Sequence, residues 1–269
     1  MAIFGKGAYT GGLDVLDALS LRFLVAAGVL WLYALSRRDM LLPPSRRHLA
    51  ALAMLGAGLY GPLAICFFLG LQRLPASLAE MIFFVYPLLV TVLGALVLRE
   101  RLTWRRGLAL ALGLGGCYFL LDVRVAGWDP MGTLWTLAAA VLYAIHAVVS
   151  QKVLEQIEPR VTALYVVTFA ALFFVVLRPP WVALTHLTVS PVSLVSVAGL
   201  GLVATAGSLL FFFLAVERIG SWRTAVIGVC EPLGTVVLAS LFLGETLSAG
   251  QLVGGALILV AALLVHLVQ

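Results

Sequence analysis

The sequence predicts an all-α polytopic membrane protein of ten transmembrane helices, the first of them short, in two inverted five-helix repeats. Three observations carry that reading. The 269 residues are 63% hydrophobic and only 11% charged, with a mean hydropathy of +1.13, which is more apolar surface than a soluble domain buries. The apolar residues fall into runs of ~20, the length that crosses a bilayer at ~1.5 Å per residue. The chain also resembles itself at a shift of 145 residues.

Taken in order, the opening "MAIFGKGAY" covers about half a bilayer and reads as a short or clipped first helix. Lys6 follows apolar residues instead of preceding a longer apolar core, which argues against a secretory signal. Nine clear spans follow near 18–36, 48–71, 76–98, 104–121, 130–151, 160–177, 191–216, 221–243 and 248–267. Strict apolar/polar alternation in ~10-residue segments, the mark of an outer-membrane barrel, is absent.

The net charge of +5 is a topology signal and needs no nucleic-acid partner. With the N-terminus inside, inner loops hold twelve of the 17 basic residues, among them Arg37, Arg46, Arg105, Lys152 and Arg218, whereas outer loops hold Arg73, Arg124 and Arg178. The expected orientation therefore has both termini cytoplasmic, and the expected location is a bacterial inner membrane, multi-pass, which the absence of any Asn and hence of a glycosylation sequon fits. Cys66, Cys117 and Cys230 lie within spans and form no disulfide or metal spacing. "GAGLYG" at 56–61 fits a dinucleotide-binding glycine pattern, but it lies inside an apolar span and reads as close helix packing. "GQLVG" at 250–254 reads as a helix-contact motif. No Walker A motif or zinc spacing occurs, so no cofactor and no metal are implied.

The repeat aligns 67–102 with 212–247 without a gap. Thirteen of 36 positions are identical, including Arg73/Arg218, Pro87/Pro232, Glu100/Glu245 and Leu102/Leu247. Two apolar helices match in Leu and Val by chance, but not in a proline, a glutamate and an arginine in one frame. Five helices is an odd number, so the second copy is inverted, giving an N-terminal half at 1–121 and a C-terminal half at 122–269 of one integral membrane domain.

Against this apolar background, polar and aromatic residues stand out. Pro87 and Pro232 each remove a hydrogen bond in mid-span and read as symmetry-related hinges; a plain packing kink is the alternative. Helical spacing puts Glu80, Phe83, Phe84, Pro87, Thr91 and Gly94 on one face, then Trp135, Ala139, Tyr143, His146 and Ser150, then Gly201, Thr205, Ser208 and Phe212. Those faces suit an amphipathic small molecule, with rings for its side chain and hydroxyls for its polar group, or else they are packing surfaces. Glu231, directly before Pro232, is a candidate for holding an ammonium group, carrying a coupling proton or bridging to Lys6. Glu80 lies nearer a helix start, where the dipole favours an anion. His146 is a proton relay or a structurally satisfied histidine. Arg22 is expected to snorkel or to cap a neighbouring helix.

"FLGETLSAGQLVGGALILVAALL", its degenerate partner "VLRERLTWRRGLALALGLGG" and "LSLRFLVAAGVL" resemble the EamA branch of the drug/metabolite transporter superfamily. Within that branch the chain is most similar to YddG-type exporters of aromatic and other amino acids. The resemblance implies a fold built around a central cavity and a secondary transporter that exports aromatic and other neutral amino acids, or similar small metabolites, by alternating access. It also implies that Phe84 and Tyr86, before the matching proline, line the cavity. Tyr60 is a further candidate for a cavity position. The expected partners are a small-molecule substrate and the lipid bilayer, and one chain with two halves suffices as a functional monomer. The alternatives are export of another small metabolite or drug, and a membrane-embedded lipid or prenyl transferase. The latter is disfavoured by the 12 acidic residues and the lack of paired acidic motifs.

Overall fold

The computed structural model describes residues 13–37, 45–99, 103–121, 128–186, 191–234, 237 and 248–267. Among these residues every regular element is a helix. In chain order they are α1 (Val15–Leu35), α2 (Arg46–Ala53), a π-helical turn π1 (Met54–Tyr60), α3 (Gly61–Arg73), α4 (Ala76–Phe83), α5 (Tyr86–Val97), α6 (Trp104–Leu120) and α7 (Pro130–Leu154). Then come α8 (Pro159–Leu177), α9 (Pro180–His186), α10 (Pro191–Gly201), a second π-helical turn π2 (Leu202–Gly207), α11 (Ser208–Ile219), α12 (Ser221–Gly228) and α13 (Ala249–Leu267). Among the described residues six helical stretches, Val15–Leu35, Arg46–Arg73, Ala76–Val97, Pro130–Leu154, Pro159–Leu177 and Leu194–Ile219, are long and apolar enough to cross a membrane. The protein is an all-helical polytopic membrane protein.

Local chemistry sets the starts. Asp14 caps α1 by accepting from Asp17 N–H at 2.7 Å, while the Asp17 carboxylate accepts from Asp14 N–H, a capping box. Proline opens α7, α8, α9 and α10, at the position where its missing N–H costs nothing. Asp129 caps α7 through the N–H groups of Met131 and Gly132 and meets Arg73 at 3.4 Å. Partial dehydration pushes its carboxyl up, but these donors prevail and hold it below the ordinary carboxylate range.

The chain packs as two compact units, residues 1–69 with 149–218 and residues 70–148 with 219–269. In the first, α1 lies against α8, α9, α10 and π2, and α8 also receives α2 and π1. In the second, α6 lies along α13, and α12 packs on α5, α6 and α13. Lipid gives no hydrophobic drive for such pairs, so close van der Waals approach and polar contacts hold them. At the α6–α13 crossing Gly116 and Gly254 face each other so closely that a Cβ on either would strike the other's carbonyl. Gly56 likewise leaves no room for a Cβ beside the Val166 carbonyl of α8, so "GAGLYG" is a packing surface.

The repeat has a structural counterpart. α4 and α12 each span eight residues, and both their ends lie 145 residues apart, at 76/221 and 83/228. The starts of α2 and α10 and of α6 and α13 keep the same offset. Glu100, Leu102, Glu245 and Leu247 lie outside the described residues, as does Lys6.

Candidate functional site

In the second unit the span containing Pro87 is interrupted. α4 ends at Phe84, whose N–H bonds to Glu80 O at 2.9 Å, and Val85 N–H tightens onto Ile82 O at 3.2 Å. The helix resumes at Tyr86 with Pro87 in its first turn, where proline is tolerated. Thr91 donates its hydroxyl to the Pro87 carbonyl at 2.9 Å. The partner span behaves alike: Val229 N–H turns to Val226 O at 3.2 Å and Cys230 N–H to Ile227 O at 2.9 Å, just ahead of the buried Pro232.

The first interruption gathers rings. Tyr86 lies 4.4 Å from Tyr143 and 5.2 Å from Phe83 by ring centroids, Phe83 meets Tyr143 edge-on at 5.5 Å, and Phe84 lies 6.1 Å from Tyr86. His146, fully buried, lies 6.5 Å from the Tyr143 ring. Phe84 and Tyr86 are buried, whereas Phe83 and Tyr143 keep part of their surface free of protein. Tyr86 also ties the two interruptions together, because its hydroxyl donates to Ala225 O at 3.3 Å. In an unbroken helix Val229 N–H would take that carbonyl; here Val229 has turned away, and the phenol replaces it. Gly228 makes room for the phenol, since a Cβ there would stand 2.4 Å from the Tyr86 oxygen.

Three other expected site residues belong to this unit. Trp135 is half-buried two turns before Tyr143 on α7, about 12 Å along the helix axis. Glu80 is half-buried on α4, one turn before the break. Glu231 stands exposed immediately after the second break.

In the first unit the polar centre is Arg22, and it corrects the sequence expectation. Arg22 neither snorkels nor caps a helix end; it is fully buried. Its Nε–H donates to Thr205 Oγ1 at 2.5 Å, and its Nη2 reaches Tyr60 Oη and Ala204 O, each at 3.5 Å. The guanidinium lies 5.1 Å from the Phe23 ring and 5.6 Å from that of Phe68, within cation–π range. Tyr60 and Thr205 are thus brought together through one cation. Ser208 is not: it is exposed at the start of α11. The intervening π turn adds a residue to the helical register, which takes Ser208 off the face that Thr205 occupies. Towards the start of α1, Asp17 is buried between Arg178, at 3.1 Å, and His186, at 2.9 Å, while Asp14 pairs with Arg178. Among the described residues, no three His, Cys, Asp or Glu side chains converge as a metal site requires.

Sequence comparison agrees with this architecture. A protein of Salmonella typhimurium described as a "Probable amino-acid metabolite efflux pump" is 26% identical over 77% of this chain and 73% of its own. A "Probable terminal-alkyne amino-acid exporter" of Streptantibioticus cattleyicolor is 28% identical over 97% and 85%. "Protein PecM" of Dickeya dadantii is 30% identical over 80% and 73%. A solved crystal structure, 21% identical, superposes with a TM-score of 0.76 over 99% of this chain and 96% of its own, which is a likeness of fold. Residues 1–122 and 130–267 match the family description in two consecutive segments, and the chain belongs to the EamA-like transporter family.

Proposed function

We propose that this transporter exports neutral amino acids, the aromatic ones included, or closely similar small metabolites, across a bacterial inner membrane. The observation that carries the proposal is the cluster of Phe83, Tyr86 and Tyr143 at the interruption before Pro87. Partly uncovered rings beside a broken helix suit a molecule with an apolar side chain and a charged backbone end. The descriptions of the Salmonella and Streptantibioticus relatives as amino-acid exporters support the same class.

The mechanism proposed is alternating access by a single chain. The matched interruptions at 84–85 and 229–230 serve as its hinges, with Pro87 and Pro232 keeping each from re-forming a continuous helix. The two segments of family match support two halves near 1–121 and 122–269, and inversion follows from an odd number of helices in each. The asymmetry of basic residues supports cytoplasmic termini. Glu231 is proposed to hold the substrate ammonium or a coupling proton.

Efflux tests the function directly. Cells producing the protein, preloaded with labelled phenylalanine or alanine, should lose the label faster than cells carrying an empty vector. Equal loss of every neutral amino acid tried, with the protein present in the membrane, would remove this substrate class.

A further inference from the structure

We propose that Arg22 is a positioning residue of the transport cycle: one guanidinium holds both π-helical turns of the first unit in register, and the cycle proceeds by releasing and regaining that hold. The role in transport rests on the exporter reading above; the hold itself rests on geometry alone.

Tyr60 closes π1, and Thr205 sits within π2. They are 145 residues apart, the offset at which 67–102 aligns with 212–247 and at which α2 and α10 start, and at that offset the two side chains are equivalent. Arg22 has no basic counterpart, because position 167 is Val. A single cation on α1 thus joins the equivalent side chains of both copies.

The hold on π2 is the firmer. The Thr205 hydroxyl accepts from Arg22 and donates to Leu200 O at 2.7 Å, five residues back, the same span as a π-helical backbone bond. Arg22 also reaches the Ala204 carbonyl inside the turn. Phe23 and Phe68 flank the guanidinium, and Phe23 stacks on Phe174 of α8 at 5.0 Å, so the cation is held on a packed aromatic base.

A π turn is one residue out of step with the α-helix around it. Removing it rotates the following helix by about 100° relative to the preceding one. Such an element has two discrete arrangements, which is what a transport cycle requires of a moving helix. Arg22 favours one arrangement in both copies at once, and that couples them.

Hydrogen exchange on the purified full chain in nanodiscs tests the hold without reference to any substrate. Arg22→Gln should raise amide exchange by about tenfold or more in both 54–60 and 202–208, while leaving α6 and α13 unchanged. Thr205→Val, which keeps the volume and removes both the acceptor for Arg22 and the donor to Leu200 O, should raise it in 202–208, and unchanged exchange there would overturn the hold on π2 even if Arg22→Gln fails to fold. Transport by the same variants should show a maximal rate lowered about tenfold with half-saturation within about twofold, with Arg22→Lys intermediate. Unchanged exchange in the folded variants would overturn the hold, whatever the substrate proves to be. Raised exchange with a higher half-saturation and an unchanged maximal rate would overturn the positioning role and make Arg22 a substrate ligand. If the wild-type chain moves no amino acid, the exporter reading fails while exchange still decides the hold.

Discussion

Gly228→Ala is expected to destabilise the second unit, and Tyr86→Phe is expected to rescue it. An added Cβ at 228 would stand 2.4 Å from the Tyr86 oxygen but 3.7 Å from its ring carbon Cζ, so only the hydroxyl is in the way. The phenol cannot retreat easily, being buried against Phe83, Phe84 and Tyr143 and bonded to Ala225 O. Overpacking of this kind costs about 1–3 kcal/mol, against which the better helix propensity of alanine returns at most ~1. Tyr86→Phe alone leaves the Ala225 carbonyl unmet, at about 1–3 kcal/mol. In the double variant the new methyl occupies the space the hydroxyl left, so it should be no less stable than Tyr86→Phe alone. The expected coupling is about 1–3 kcal/mol in the direction of rescue, or several degrees in Tm for a chain of this size. Thermal unfolding of the four proteins in one detergent measures it. Additive single effects, or a Gly228→Ala protein as stable as wild type, would refute the claim that Tyr86 links the two broken helices.

Three further outcomes are expected. Phe84→Ala should weaken competition by phenylalanine or tryptophan more than by alanine or threonine, because lost ring contact scales with the side chain bound; an equal loss for all would assign Phe84 to packing alone. Glu231→Gln should impair flux while leaving expression and Tm near wild type, since Glu231 is exposed at the break, and normal flux from pH 5 to 8 would eliminate both of its proposed roles. Impermeant thiol labelling of intact cells should reach Asp129→Cys and not Arg105→Cys in variants stripped of other accessible cysteines, and the reverse pattern would invert the proposed topology.

The features legible in the sequence are those that backbone chemistry dictates. Proline lacks a donor and crowds the carbonyl four residues back, so the interruption near Pro87 could be read directly; that it falls at 84–85 follows from the same crowding. The boundaries of α4 and α12 repeat at 145 residues because duplicated sequences keep their local signals. The π turns left no comparable trace. "MLGAGLY" and "LVATAG" are ordinary apolar segments, and what fixes π2 is a tertiary bond from Arg22, 183 residues away. A long side chain near a span's end can reach water, which is why Arg22 reads from the sequence as a snorkelling or capping residue. The signal that pointed inward was the repeat itself, which puts Tyr60 and Thr205, two hydroxyls in apolar spans, at one equivalent position. Ser208 leaves the Thr205 face for the related reason that a 3.6-residue period does not run through a helix that is not α throughout.

Counterflow in liposomes bears most directly on the proposed activity. Purified protein reconstituted into vesicles loaded with unlabelled phenylalanine, then diluted into a trace of the labelled compound, should draw label inward transiently and far above protein-free vesicles. External tryptophan or another neutral amino acid should suppress that uptake, and a sugar should not. Vesicles holding monodisperse, folded protein that accumulate no label with phenylalanine or any other neutral amino acid would contradict amino-acid export by this chain.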